Sequence, residues 1–163
     1  ISKGLEDKLG CILFQLHPGI VYSEENLERI LNTLDTSFIN AVEFRHASWW
    51  CDEVYKVLKK HNIIFCSISY PQLPDGVYKT ASSMYYRFHG VPHLYLSSYS
   101  TEKMTQIVTD IKTFRSVNDV YLYFNNDIEV AAVSNAKEIM TIASGSKPRS
   151  ITAPSLFGES KNI

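Results

Sequence analysis

Two short stretches hold the residue types that move protons and bind anions. Glu43, Arg45 and His46 lie in AVEFRH (Ala41–His46), and Arg87 and His89 lie in MYYRFHG (Met84–Gly90). Side chains alternate along an extended segment, so Glu43 shares a face with Arg45, and Arg87 shares one with His89. Glu43 and His89 are the types that serve as general acid and base, and Arg45 and Arg87 offer forks of N–H donors that fit a carboxylate or a phosphate. Glu43 beside Arg45 has a second reading, an internal ion pair that fixes strand register, and the pattern leaves both open. His46 falls on the opposite parity and suits a helix cap. Gln15 alternates with Leu13 in CILFQLH (Cys11–His17) and can hydrogen-bond a ligand or a neighbouring strand. In VYLYFNND (Val120–Asp127), Tyr123 and Asn125 share parity, which points Asn125 into a pocket. Asp127 joins the ligand-binding candidates, with Asn126 or Asp127 spent on capping the helix that follows.

These groups sit at the downstream ends of apolar runs. A core strand has no packing reason to end in Arg-x-His or Asn-Asn-Asp. Parallel sheets, by contrast, open into a shared mouth at the carboxyl ends of their strands, and there they build sites. The positioning elements follow from periodicity. Strands are expected at Cys11–Leu16, Asn40–Arg45, Ile63–Ile68, Tyr85–His89 and Val120–Phe124. Helices are expected after the N-cap Ser23, with Asn26 completing an approximate capping box, over Asp52–His61, after the cap Ser100, and over Asp127–Ile142. A loop with Pro71, Pro74 and Gly76 follows the third strand. The alternation reads as five β-then-α units, which demands parallel pairing with right-handed crossovers, in either a small open α/β sheet or the later portion of a barrel. Ser67 and Ser69 lack a Gly-x-Ser-x-Gly elbow, so a serine nucleophile has little support. Trp49 and Trp50 suit packing of a loop on the rim.

The chain has 163 residues, 45% hydrophobic and 20% charged, which fits one soluble α/β core. Its formal net charge of -1 gives no overall field for nucleic acid or an anionic membrane. No apolar run approaches the roughly 20 residues that cross a bilayer. Three scattered cysteines, Cys11, Cys51 and Cys66, fit a reducing, cytoplasmic setting. The sequence opens on Ile1 rather than Met, which points to a longer natural protein. Beyond Ala143 the composition turns to Gly, Ser, Lys and Pro, so residues 1–143 read as one (β/α) unit and 144–163 as a mobile tail.

Four stretches resemble the landmarks of the uncharacterised DUF72 (YecE-like) family. They are LGCILFQLHP, VEFRHASW, YYRFHG and YLYFNND, in that order, within a likeness that covers about Leu9 to Ile142. The family is TIM-barrel-like, so the resemblance implies an α/β fold of (β/α) repeats with parallel strands. It also implies a partial barrel that lacks the family's N-terminal strands. The family's function is unknown, so the resemblance speaks to fold rather than to reaction.

The expectation from the residues is an enzyme acting on a polar, anionic substrate by acid–base chemistry of hydrolase or isomerase type. Glu43 and His89 are its acid and base, and Gln15, Arg45, Arg87, Asn125 and Asp127 bind the small-molecule or phosphate-containing ligand. Two alternatives stand beside it: a nucleic-acid-binding or nuclease-like protein, and a non-catalytic small-molecule binding domain. Glu43, His89 and Asp127 are metal-ligand types, but no H-x-H or H-E-x-x-H spacing appears, and no metal ligand is assigned. No Gly-rich phosphate loop points to a nucleotide, and the cofactor is left unknown.

Overall fold

The computed structural model describes residues 4, 5 and 8–145. Strands and helices follow in the order β1 (Ile12–Gln15), α1 (Glu24–Thr33), β2 (Asn40–Glu43), α2 (Asp52–Lys60), β3 (Ile64–Phe65), β4 (Ser67–Ser69), β5 (Met84–Phe88), α3 (Thr101–Thr113), β6 (Val120–Phe124) and α4 (Ala131–Ala143). All pairings are parallel. β1–β2–β3 form one sheet, with Gln15 opposite Glu43, and β4–β5–β6 form another, with Arg87 opposite Tyr123. The molecule is thus an α/β fold with parallel strands in two sheets and four α-helices among the described residues.

The expected third strand is divided at Cys66. Its backbone N–H still reaches Val42 O at 2.9 Å, and Ser67 then pairs with Tyr86. One extended segment therefore passes from β2 to β5 and joins the two sheets edge to edge. Among the described residues β1 and β6 do not pair, and no closed barrel forms. No helix follows the third strand: residues 70–83 run as the expected loop, which Pro71 and Pro74 keep from winding. Side chains of the joining segment hold it down: Ser67 Oγ accepts from Tyr78 N (2.9 Å), and Ser69 Oγ donates to Asp75 (3.1 Å).

The helices begin where their caps allow. Ser23 Oγ accepts from Asn26 N at 3.1 Å, but the Asn26 amide donates to Val21 O, so only half of the expected capping box forms. Ser100 Oγ accepts from Lys103 N at 3.3 Å. The last helix starts at Ala131, later than expected, after a 3₁₀ turn at Ile128–Val130. Val130 has φ +64°, which interrupts helical backbone, and neither Asn126 nor Asp127 caps with its side chain. Of the tail, Ser144 and Gly145 form a turn, and 146–163 lie outside the described residues.

Alternation sorts the strands into two faces. Phe14, Val42, Phe44 and Phe65 pack outward on Leu27, Leu34, Val54 and Leu58 of the first two helices and their ends. Tyr86, Phe88, Leu122 and Phe124 pack outward on Met104, Ile107, Val108 and Ile111 of α3 and Ile139 of α4. The inner face carries Leu13, Ala41, Ile64, Cys66, Ile68, Tyr85 and Tyr121. No helix among the described residues is long and apolar enough to cross a membrane.

Candidate functional site

Continuing the inner face towards the strand carboxyl ends replaces apolar side chains with polar ones. Glu43, last in β2, is fully buried. Its Oε1 accepts from Arg45 Nε, and its Oε2 accepts from Arg87 Nη1 at 2.6 Å. The same Nη1 donates to Gln15 Oε1 at 2.9 Å, and Arg87 Nε donates to Asn125 Oδ1 at 3.1 Å. A guanidinium on β5 thereby reaches β1, two strands beyond its neighbour, which requires the array to curve around this point. Gln15, Glu43, Arg45, Arg87, His89 and Asn125 are brought together as the sequence leads one to expect.

His89 follows β5, where Gly90 turns the chain away at φ +91°. A Cβ at Gly90 would lie 2.8 Å from His93 O, so glycine is needed to seat the following loop. His89 Nε2 lies 3.3 Å from Glu43 Oε1 and 3.3 Å from Arg45 Nη2. Nδ1 is buried and has no partner among the described residues. Tyr70 meets the imidazole edge-on at 5.5 Å and also lies under Arg45, whose guanidinium carbon is 4.5 Å from the ring centroid.

The cluster carries two guanidinium charges against one carboxylate. Burial by itself raises the Glu43 pKa, but hydrogen bonds from His89 and Arg87 and the charges of both arginines outweigh it and hold the carboxyl below its usual range. Burial pushes His89 down, Glu43 pulls it up, and the two arginines push it down again, with a lowered pKa as the result. At neutral pH the imidazole is therefore uncharged and the cluster keeps one net positive charge. A proton on Nε2 serves Glu43, and a bare Nε2 accepts from Arg45; the geometry admits both tautomers. Cys66 Sγ lies 3.9 Å from Glu43 Oε2, and burial, then the Glu43 charge, raises its pKa so that it stays a thiol.

The other sequence candidates go elsewhere. Asp127 is exposed and makes no side-chain hydrogen bond or ion pair among the described residues, so the Asn-Asn-Asp run divides three ways. Asn125 turns inward to Arg87. Asn126 turns outward, where its buried amide donates to Ser97 O (3.0 Å) and Asn135 Oδ1 (2.9 Å). His46 caps the turn at Ala47–Trp49, accepting from Ser48 N at 3.2 Å. Trp49 is buried on Phe44 at 4.3 Å, and its indole donates to Ile20 O. Tyr70 and Cys66 belong to the cluster although the motifs did not single them out. The signal was parity: each continues the inner-face alternation or directly follows the strand that does. Among the described residues no group of three or more His, Cys, Asp or Glu is placed to hold a metal ion. Hollows of about 390 Å³ beside Phe14 and Ile30 and about 450 Å³ beside Leu122 and Ile139 lie on the outer, helical side and contain none of the cluster.

The family model for DUF72, a protein of unknown function, matches residues 2–156. This chain belongs to the DUF72 family. It is similar to a DUF72 family protein from Thermotoga maritima MSB8, with TM-score 0.79 and 26% identity over 88% of this chain and 63% of that one. It is also similar in fold to a DUF72 family protein from Enterococcus faecalis V583, with TM-score 0.75 and 20% identity over 90% of this chain and 63% of that one. The chain thus spans less than two thirds of the length of these solved relatives. No curated protein matches it. In this DUF72 chain the four landmark stretches supply the charged, imidazole and amide members of the cluster: Gln15, then Glu43 with Arg45, then Arg87 with His89, then Asn125.

Proposed function

We propose that this chain forms part of a TIM-barrel-like enzyme that takes a polar, anionic small molecule at the strand-end cluster and acts on it by acid–base chemistry of hydrolase or isomerase type. The observation that carries the reading is the convergence of Arg45 and Arg87 on one buried carboxylate, with net positive charge left over. Arg87 Nη2 and Arg45 Nη1 have no partner among the described residues, so both forks keep donors for an oxyanion. Gln15 and Asn125 orient Arg87. His89 is the proton-transfer group, and its buried, unpartnered Nδ1 is a cost that structures carry at functional places. Glu43 keeps the arginines in register and stabilises His89 when it gains a proton. The barrel reading is supported by parallel neighbours in chain order, helices outside, and a β5 side chain that reaches β1. Three free cysteines support a reducing, cytoplasmic setting.

A second reading, a binding domain without turnover, is favoured by one detail: both Glu43 oxygens are already engaged. Titration with inorganic phosphate by calorimetry tests what the two share. Saturable binding that weakens about tenfold or more in Arg87→Met supports the site. Absence of binding by phosphate and by simple carboxylates contradicts it. Turnover of a bound anion, lost in His89→Gln, separates enzyme from binding domain.

A further inference from the structure

Beside Arg87 and one step back along β5 and β6 the inner face carries three tyrosines, Tyr123, Tyr85 and Tyr121. We propose that the ligand is a small aromatic oxyanion, with its charged group on Arg87 and its flat ring on Tyr123; this rests on the anion site described above and names its substrate class. Tyr123 stands opposite Arg87 in the β5–β6 register, so the two side chains are neighbours on the same face. Half of Tyr123 is open, at 51% exposure, which is unusual for an aromatic ring projecting from the inner face of a sheet. It does not hang loose. The Tyr85 ring lies parallel to it at 5.1 Å and 14°, and Tyr121 also stacks on Tyr85 at 5.8 Å and 28°. Tyr121 is itself pressed against the entry to β1: a Cβ at Gly10 would fall 3.0 Å from its ring, so glycine is what leaves room for the ladder.

Arg87 is equally fixed. Asn125, Gln15 and Glu43 hold Nε and Nη1, leaving Nη2 as the donor without a partner among the described residues. A rigid cation edge beside a rigid, half-open ring forms a platform for a molecule with a charge at one end and a π face at the other. Ring-on-ring stacking of this kind contributes enough to read as a clear affinity difference. One cation edge beside one ring fits a small aryl carboxylate or phosphate.

Acetate, benzoate, inorganic phosphate and phenyl phosphate, titrated into the full chain by calorimetry, test this. Each aromatic anion is expected to bind about tenfold or more tightly than its counterpart without a ring. Tyr123→Ala removes that gap and leaves phosphate affinity unchanged, whereas Tyr123→Phe keeps the gap. The benzoate and phenyl phosphate arms tell a carboxylate ligand from a phosphate one. Equal affinity with and without the ring overturns the inference while the anion site stands. Failure of all four to bind overturns the anion site as well. Dissociation of a dimer by Tyr123→Ala, with no ring preference, assigns the tyrosine to self-association and also overturns the inference.

Discussion

Neighbouring residues at three strand ends do opposite work. Phe44 lies between Glu43 and Arg45, Phe88 between Arg87 and His89, and Phe124 between Tyr123 and Asn125. The phenylalanines point outward, where Phe44 stacks on Trp49 at 4.3 Å and Phe88 on Phe124 at 4.3 Å. Their neighbours point inward, and all but Tyr123 share charge and hydrogen bonds around Glu43. The outer face is held by burial of apolar area, which tolerates no water and needs no exact partner. The inner face at these ends is held by groups that are costly to bury unless each finds its counterpart. A period of two residues is therefore enough to place a site within one side chain's length of the core that makes it rigid.

The sharpest way to break the comparison is to damage each face separately. Phe65 meets the rings of Phe44, Trp50, Tyr55 and Tyr78 at 5.1–5.3 Å. Phe65→Ala is expected to cost about 3–5 kcal/mol in urea unfolding, by lost burial and a cavity. On the inner face, Glu43→Gln leaves two arginines without a counter-charge, and a loss of roughly 3 kcal/mol is expected. A loss under about 1 kcal/mol there would mean that water screens the cluster, and the buried-pair account would fail.

Acid separates the faces without mutation, because the packing residues of the outer one include no carboxyl or imidazole. The folded His89 pKa lies below its ordinary 6.5, so its contribution is complete above that pH and falls as pH drops towards the folded value. The folded Glu43 pKa lies below 4.5, so its contribution is present above that pH and is lost as pH falls through the folded value. The urea midpoint is thus expected to decline from pH 7 to pH 5 and again below about pH 4.5, and His89→Gln should remove the first decline only. A smaller effect sets the scale: Ser23→Ala removes a cap remote from both faces and should cost about 1 kcal/mol, with anion affinity unchanged.

Much of this arrangement was legible because both faces write the same period into the sequence. Val120–Phe124 is a strand over the expected span, and Leu27, Met104 and Ile107 fall on buried helical faces as their spacing requires. The same parity that paired Glu43 with Arg45 put Asn125 beside Arg87. What parity cannot encode is where a loop returns. Tyr70 reaches Arg45 and His89 through the path of 70–83, and Asn126 leaves its expected cap for Asn135 because α3 and α4 pack together. The passage of one strand between two sheets at Cys66 depends on curvature over the whole array, which no local window contains. Asp127 looked like its neighbours in composition, and only the structure shows it exposed and without a side-chain partner among the described residues.

The central claim, that the arginine-bridged cluster at the strand ends receives an anion, is tested most directly at His89 itself. Imidazole ¹⁵N resonances of the full chain, followed by NMR during titration with inorganic phosphate, should show His89 shifting saturably while exposed His17 does not. In Arg87→Met the His89 shift should vanish. A His89 signal that stays still at saturating phosphate, or one that moves equally in Arg87→Met, would contradict the account.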